Sequence, residues 1–180
     1  MWRYIVCAVL MFPSTVFAAN WEVRDDESRL GFIGIQSGSE FEGAFQTFEA
    51  AIQFDPDDLE HATVSIEIFI DSFHWIDESR RTIALSPEWF AALAFPRAHF
   101  EAETFFALGD SAYEAAGILT IKGVSHPFVL PFELVIEGDV AHMRANANLL
   151  RHDFGVGSGD VDSWFSNEVR LDITLVADRR

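Results

Sequence analysis

The chain has 180 residues, 49% of them hydrophobic, so one domain with a sizeable core is expected and intrinsic disorder is excluded. Acidic side chains outnumber basic ones by 29 to 12, a formal net charge of −17. That charge excludes nucleic-acid binding and disfavours anionic membrane surfaces.

Residues 1–18 carry Arg3, an apolar run from Ile5 to Phe12, and Val16-Phe17-Ala18 as a small-residue cleavage site. This pattern predicts a secretory leader removed after Ala18, too short for a transmembrane span. The mature chain is then expected to begin at Ala19, to lose the only cysteine, Cys7, and to be a periplasmic or secreted protein without disulfides. From residue 20 onward, period-two alternation dominates. It is clearest in Val64–Ile70, Phe128–Ile136 and Val169–Leu175, and weaker near 20–24, 28–35, 40–54, 97–106, 111–121 and 139–149. Turn signals separate the runs: Gly38-Ser39, Asp55-Pro56-Asp57, Gly109-Asp110, Lys122-Gly123 and Glu137-Gly138-Asp139. Eight or nine evenly spaced strands predict an all-β sandwich or barrel. The exception is 77–94, where Ser86-Pro87-Glu88 reads as a helix start and Pro96 as a stop. One or two short helices are expected there, either covering a barrel mouth or packed outside over a sheet edge.

The apolar register places Phe48, Ala50, Ile52 and Phe54 on one face. It also groups Phe100, Ala102, Thr104 and Phe106, and Met143, Ala145, Ala147 and Leu149. Alanines among large inward residues leave volume, and an eight-stranded barrel can be filled by its side chains or hold one ligand. Eighteen phenylalanines against two tyrosines fit either a dry apolar ligand site or a ring-rich packed core.

Longer motifs narrow the choice. Trp21-Glu22-Val23 is followed by Ser28-Arg29-Leu30-Gly31-Phe32, then by Phe41-Glu42-Gly43-Ala44-Phe45, Phe48 and Phe54-Asp55-Pro56. Ser86-Pro87-Glu88-Trp89-Phe90 precedes Phe95-Pro96-Arg97-Ala98-His99-Phe100. Residues 117–127 read Gly-x-Leu-Thr-x-x-Gly-Val-x-x-Pro, and Arg151-His152-Asp153-Phe154-Gly155 follows. In this order and spacing the segments resemble the YceI-like polyisoprenoid-binding family of bacterial periplasmic proteins. The resemblance implies a lipocalin-like antiparallel β-barrel of about eight strands with a short helical insertion, spanning 19–180. It also implies a hydrophobic interior holding an isoprenoid lipid, such as an isoprenoid quinone, non-covalently and without a further cofactor. The wall residues expected on this basis are Phe32, Phe45, Phe48, Phe54, Ile66, Ile68, Phe100, Leu119, Ile121 and Phe154. Each of these could equally pack the core of any closed barrel.

Catalytic and metal signals are weak. The six histidines form no ligand spacing, and no nucleophile elbow is present. Asp153 is expected to tie the backbone of its own loop. Arg80-Arg81 is a rare cationic spot, expected either to meet a polar head group or anionic partner or to pair locally with Asp77 or Glu78. Three readings stand: a periplasmic isoprenoid-binding protein without enzymatic activity or stable membrane insertion, a ligand-free module regulating a membrane redox partner, and an enzyme acting on a lipid. The oligomeric state is not readable from these features.

Overall fold

In the computed structural model, which describes residues 19–75 and 78–180, the alternating segments pair into one antiparallel sheet. The expected leader lies outside the described residues, as do the side chains of Asp77 and Glu78, the partners expected for Arg80 and Arg81. In chain order the strands are β1 (Asn20–Val23), β2 (Arg29–Gln36), β3 (Ser39–Phe45), β4 (Phe48–Gln53), β5 (Thr63–Phe69) and β6 (Phe73–His74). Helix α1 (Glu78–Leu85) follows, then β7 (Arg97–Gly109), β8 (Ala112–Ile121), β9 (Val124–Glu137), β10 (Val140–Leu150) and β11 (Glu168–Arg179).

The sheet closes because β11 pairs with β10 along one edge and with both β1 and β2 along the other. β1 and β2 are one long strand interrupted by a 3-10 turn at Asp25–Glu27. β3 and β4 form a second such pair, opposite β2 and β1, and β5 and β6 a third, broken at Ile70–Ser72. Counted this way, eight consecutive strands run up and down around a closed antiparallel barrel. Full closure leaves no long open edge for another chain to extend.

Antiparallel pairing puts Ala19, Arg180 and the turns at 54–62, 109–111 and 138–139 at one end, here the base. The turns at 37–38 and 122–123 and the long segments 78–96 and 151–167 lie at the other, the top. The base is plugged by aromatic rings. Phe54 meets Phe105, Tyr113 and Phe132 edge-on at 5.4, 5.5 and 5.9 Å, and Trp21 Nε1 donates to Phe54 O at 2.8 Å. The top holds a second cluster of Phe73, Trp75 and Ala84 with Phe32, Phe41, Phe45 and Phe90. Its rings lie across strand glycines: Phe32 pairs with Gly43 and Phe41 with Gly34. A Cβ on either glycine would run into the opposing ring, so the missing side chain is what admits the phenylalanine.

Two sequence expectations change here. The register Phe100, Ala102, Thr104, Phe106 is broken, because Ala102 pairs with Gly117 while Thr104 pairs with Ala116. Glu103 is the extra residue of a β-bulge, and beyond it the facing inverts: Phe105 is 8% exposed and Phe106 51%. The helix start expected at Ser86-Pro87-Glu88 is a set of turns instead, so the described residues of the insertion contain one helix. Phe90 N and Ala92 N return to the carbonyls of Ala84 and Leu85 at the end of α1, and Ala91 takes a φ of 50°. The fold-back buries Trp89 in the main core and lets Phe90 pack against both apolar clusters, a gain that outweighs helix propensity.

Candidate functional site: an apolar cavity along the barrel

Inward residues of the strands enclose a cavity of about 470 Å³, inside the usual range of ligand sites. It is elongated. On β11 its wall runs from Val169 through Leu171, Ile173 and Leu175 to Ala177, roughly 26 Å of strand at about 3.3 Å per residue. With strands tilted as in barrels of this size, that spans about 20 Å of the axis. The wall reaches from Trp21, Phe54 and Phe105 at the base to Ile35, Gln36, Arg80, Ile83 and Trp164 at the top. Ile35, Ile83 and Trp164 are both wall residues and solvent-exposed, Trp164 by 54%, so they mark the mouth. α1 contributes Arg80, Ile83 and Ala84 to the wall and therefore sits at the mouth, the first of its two expected positions.

Of the ten residues nominated from the sequence, Phe32, Phe45, Phe54, Ile66, Ile68, Phe100, Leu119, Ile121 and Phe154 lie on this wall. Phe48 is buried in the same core but off the wall. The cross-strand pairs Phe48↔Ile68, Ile66↔Phe100 and Phe100↔Leu119 bring members of the set side by side. The expected void-forming alanines are displaced. Ala102 and Ala145 are buried away from the cavity and Ala147 is off its wall, while Ala98, Ala115, Ala141 and Ala177 are on it.

The top is held by a device not nominated from the sequence. Arg151, 5% exposed, spends all five guanidinium N–H groups on the loop that follows it. Nε donates to Ser166 O at 2.8 Å, and Nη1 to Val156 O at 2.9 Å and Asp162 Oδ1 at 2.6 Å. Nη2 donates to Phe165 O at 3.0 Å and Asp162 O at 3.3 Å. Its cation also stands 5.0 Å from the Trp89 ring. Asp162, not Asp153, is the acid that ties this loop, and it also lies 3.1 Å from His152 Nε2. Burial would raise the Asp162 carboxyl, but the hydrogen bonds and charges of His152 and Arg151 hold it below the ordinary aspartate value.

Neighbouring top segments are tied to that loop. Ser37 N donates to Trp164 O and Ser166 N to Ile35 O, a seam beside the mouth. On the other side, Gly157 N donates to Glu88 O and Lys122 Nζ to Gly155 O at 2.7 Å. Partial burial pushes the Lys122 ammonium down, opposed by nearby Glu88. Arg81 Nε donates to Phe73 O and Nη2 to Asp71 O, pinning α1 to β6 and to the 3-10 turn at Ile70–Ser72 before it. The arrangement can enclose a long apolar molecule and admit it at one end. Among the described residues no group of three His, Cys, Asp or Glu side chains could hold a metal ion, and no helix is long and apolar enough to cross a membrane.

Comparison with known proteins agrees with this geometry. A UPF0312 protein of Photorhabdus laumondii is 29% identical over 135 residues, covering 73% of this chain and 69% of that protein. The crystal structure of Burkholderia cenocepacia BcnA superposes with a TM-score of 0.83 at 27% identity, over 86% of this chain and 99% of that one. A polyisoprenoid binding domain from Saccharophagus degradans, implicated in plant cell wall breakdown, shares the fold with a TM-score of 0.70 at 10% identity, over 92% and 100% of the two chains. The family model of the YceI-like domain matches residues 21–177, nearly the whole barrel from Trp21 at its base to Ala177, and the chain belongs to that family.

Proposed function

We propose that the protein binds a polyisoprenoid lipid, such as an isoprenoid quinone, in the barrel interior, and acts as its carrier or reservoir and not as an enzyme. The observation that carries this reading is the cavity wall, which is apolar from the aromatic plug at the base to the mouth. Burying apolar tail in such a bore is worth roughly 0.8 kcal/mol per CH₂ before ordering costs. The likeness to a polyisoprenoid binding domain supports the ligand class. A periplasmic or secreted location is part of the proposal and rests on the leader pattern of residues 1–18. A transient membrane partner that loads or unloads the lipid completes it.

Trp21, Trp75, Trp89 and Trp164 all lie on the wall, so a quinone entering the bore should quench tryptophan fluorescence saturably. Titration with a polyprenyl quinone tests this. Saturable quenching that a polyprenyl hydrocarbon competes away is expected. Quenching no greater than that of free tryptophan would reject an interior site.

A further inference from the structure

Exposed large apolar side chains gather at the top of the barrel: Ile35, Ile83, Leu93, Phe95, Val124 and Trp164. Scattered singly, such residues would be ordinary; here they share one end of the molecule. Ile35, Ile83 and Trp164 are also on the cavity wall, so the exposed rim continues the lining of the bore. Phe95 lies against the β8–β9 turn, where a Cβ on Gly123 would meet its ring at 2.7 Å, and Val124 follows that turn. Bonds from Lys122 Nζ to Gly155 O and from Gly157 N to Glu88 O tie both segments to the loop beside the mouth.

Leu93 is fully exposed at the tip of a turn. Ala94 N and Phe95 N both donate to Ala91 O at 2.9 Å, and Ala91 takes a φ of 50° to make the turn. Tips of this kind ordinarily carry Gly, Asn, Asp or Ser, whereas this one holds a leucine clear of the surface. Charge is segregated in the same sense. The runs that carry the rim, 35–39, 82–87, 89–96, 123–125 and 163–167, contain no Asp, Glu, Lys or Arg, in a chain that is 23% charged. The base turns 54–62, 109–111 and 138–139 hold Asp55, Asp57, Asp58, Glu60, Asp110 and Asp139, and no Lys or Arg.

We propose that the top of the barrel docks on a zwitterionic bilayer surface, with Leu93 and Trp164 among the headgroups and the acidic base directed away. It rests on the lipid-binding reading above and names the surface from which that site is loaded. An uncharged apolar rim gains burial at such an interface without stripping water from ions, and tryptophan suits the headgroup level. The acidic base is repelled by any anionic leaflet, which orients the mouth toward the membrane and limits affinity for anionic lipid. Because the rim and the wall are continuous, lipid can pass from bilayer to bore without crossing water. A second copy seated mouth to mouth would bury the same side chains but close both bores.

The test is flotation of the purified whole chain with phosphatidylcholine vesicles, with and without phosphatidylglycerol. The N-terminus is common to all variants, so any contribution from it cancels. Wild type is expected to co-float with the zwitterionic vesicles, and more weakly as phosphatidylglycerol is added. Leu93→Asp and Val124→Asp should each lower the partition coefficient by roughly tenfold, while Leu108→Asp, at an exposed site near the base, leaves it unchanged. Leu93 is off the cavity wall, so Leu93→Asp should slow uptake of a polyprenyl quinone from vesicles but bind it normally from detergent micelles. No co-flotation of wild type, or an equal loss in Leu108→Asp, would overturn the docking surface while leaving the lipid-binding barrel intact. A dimer that Leu93→Asp dissociates, with no vesicle binding, would assign the rim to a second copy and overturn the proposal as well. Wild-type protein that floats through Leu93 yet takes up no quinone from vesicles or micelles would reject the lipid-binding reading and keep the docking surface.

Discussion

Arg151 and Asp162 show how one buried charge can organise a barrel mouth. The guanidinium gathers four backbone carbonyls and a carboxylate from 156–166, a loop that would otherwise leave those acceptors unsatisfied near an apolar cavity. Asp162→Asn is expected to destabilise the fold by about 2 kcal/mol, the worth of a hydrogen bond to a charged group. The pH dependence follows from the depressed carboxyl. Its stabilisation is present above the unfolded aspartate value of about 3.9 and is lost as pH falls through the lower folded value. Wild type should therefore lose more thermal stability than Asp162→Asn below about pH 4, and midpoints measured against pH check it. Equal acid sensitivity would show that the pair does not govern the mouth. Sequence reasoning singled out the Arg-x-Asp-Phe-Gly segment but assigned the tie to adjacent Asp153. The true partner is eleven residues away, in a loop without periodicity, where only the folded chain shows the pairing.

At the scale of elements, β9 and β11 carried clear alternation and β10 a weaker one, because an uninterrupted strand presents successive side chains to opposite faces. β7 was legible only to Ala102. The signal for its bulge lies on the neighbouring strand, at Gly117, whose absent side chain lets the Glu101 carbonyl approach. The inverted facing makes a sharp expectation. Phe105→Ala should cost about 3–5 kcal/mol, and Phe106→Ala within roughly 0.5 kcal/mol of nothing, by denaturant unfolding. Similar costs at the two positions would place the bulge elsewhere. The β8–β9 turn agrees with its sequence signal: Lys122 and Gly123 have φ of 50° and 75°. Gly123→Val is expected to lose about 1–3 kcal/mol, because valine disfavours that φ and its Cβ would press on the Phe95 ring at 2.7 Å. Unchanged stability would mean the turn relaxes freely.

For the whole molecule, an all-β sandwich or barrel was readable from periodicity and closure into a barrel from the family resemblance, whereas the location of the void was in neither. Periodicity says that Ala102, Ala145 and Ala147 face inward; it does not say how far opposing side chains reach. Ala145 is filled over by its neighbours, and Ala141 opens on the cavity. Enlarging each to phenylalanine separates the two situations. Ala145→Phe should overpack the core and cost about 1–3 kcal/mol with no direct effect on ligand. Ala141→Phe should keep its thermal midpoint but exclude ligand tail, each lost CH₂ forfeiting roughly 0.8 kcal/mol. The reverse pattern, judged by paired thermal melts and lipid titrations, would misplace the void.

The central claim is that this bore holds an isoprenoid lipid, and organic extraction of the purified protein followed by mass spectrometry tests it most directly. The expected result is a polyprenyl species that co-purifies in a fixed molar ratio with the folded protein and is depleted in Ala141→Phe. Extracts of well-folded protein that contain no polyprenyl species, even after expression in cells rich in isoprenoid quinones, would contradict the claim and favour a ligand-free interaction module.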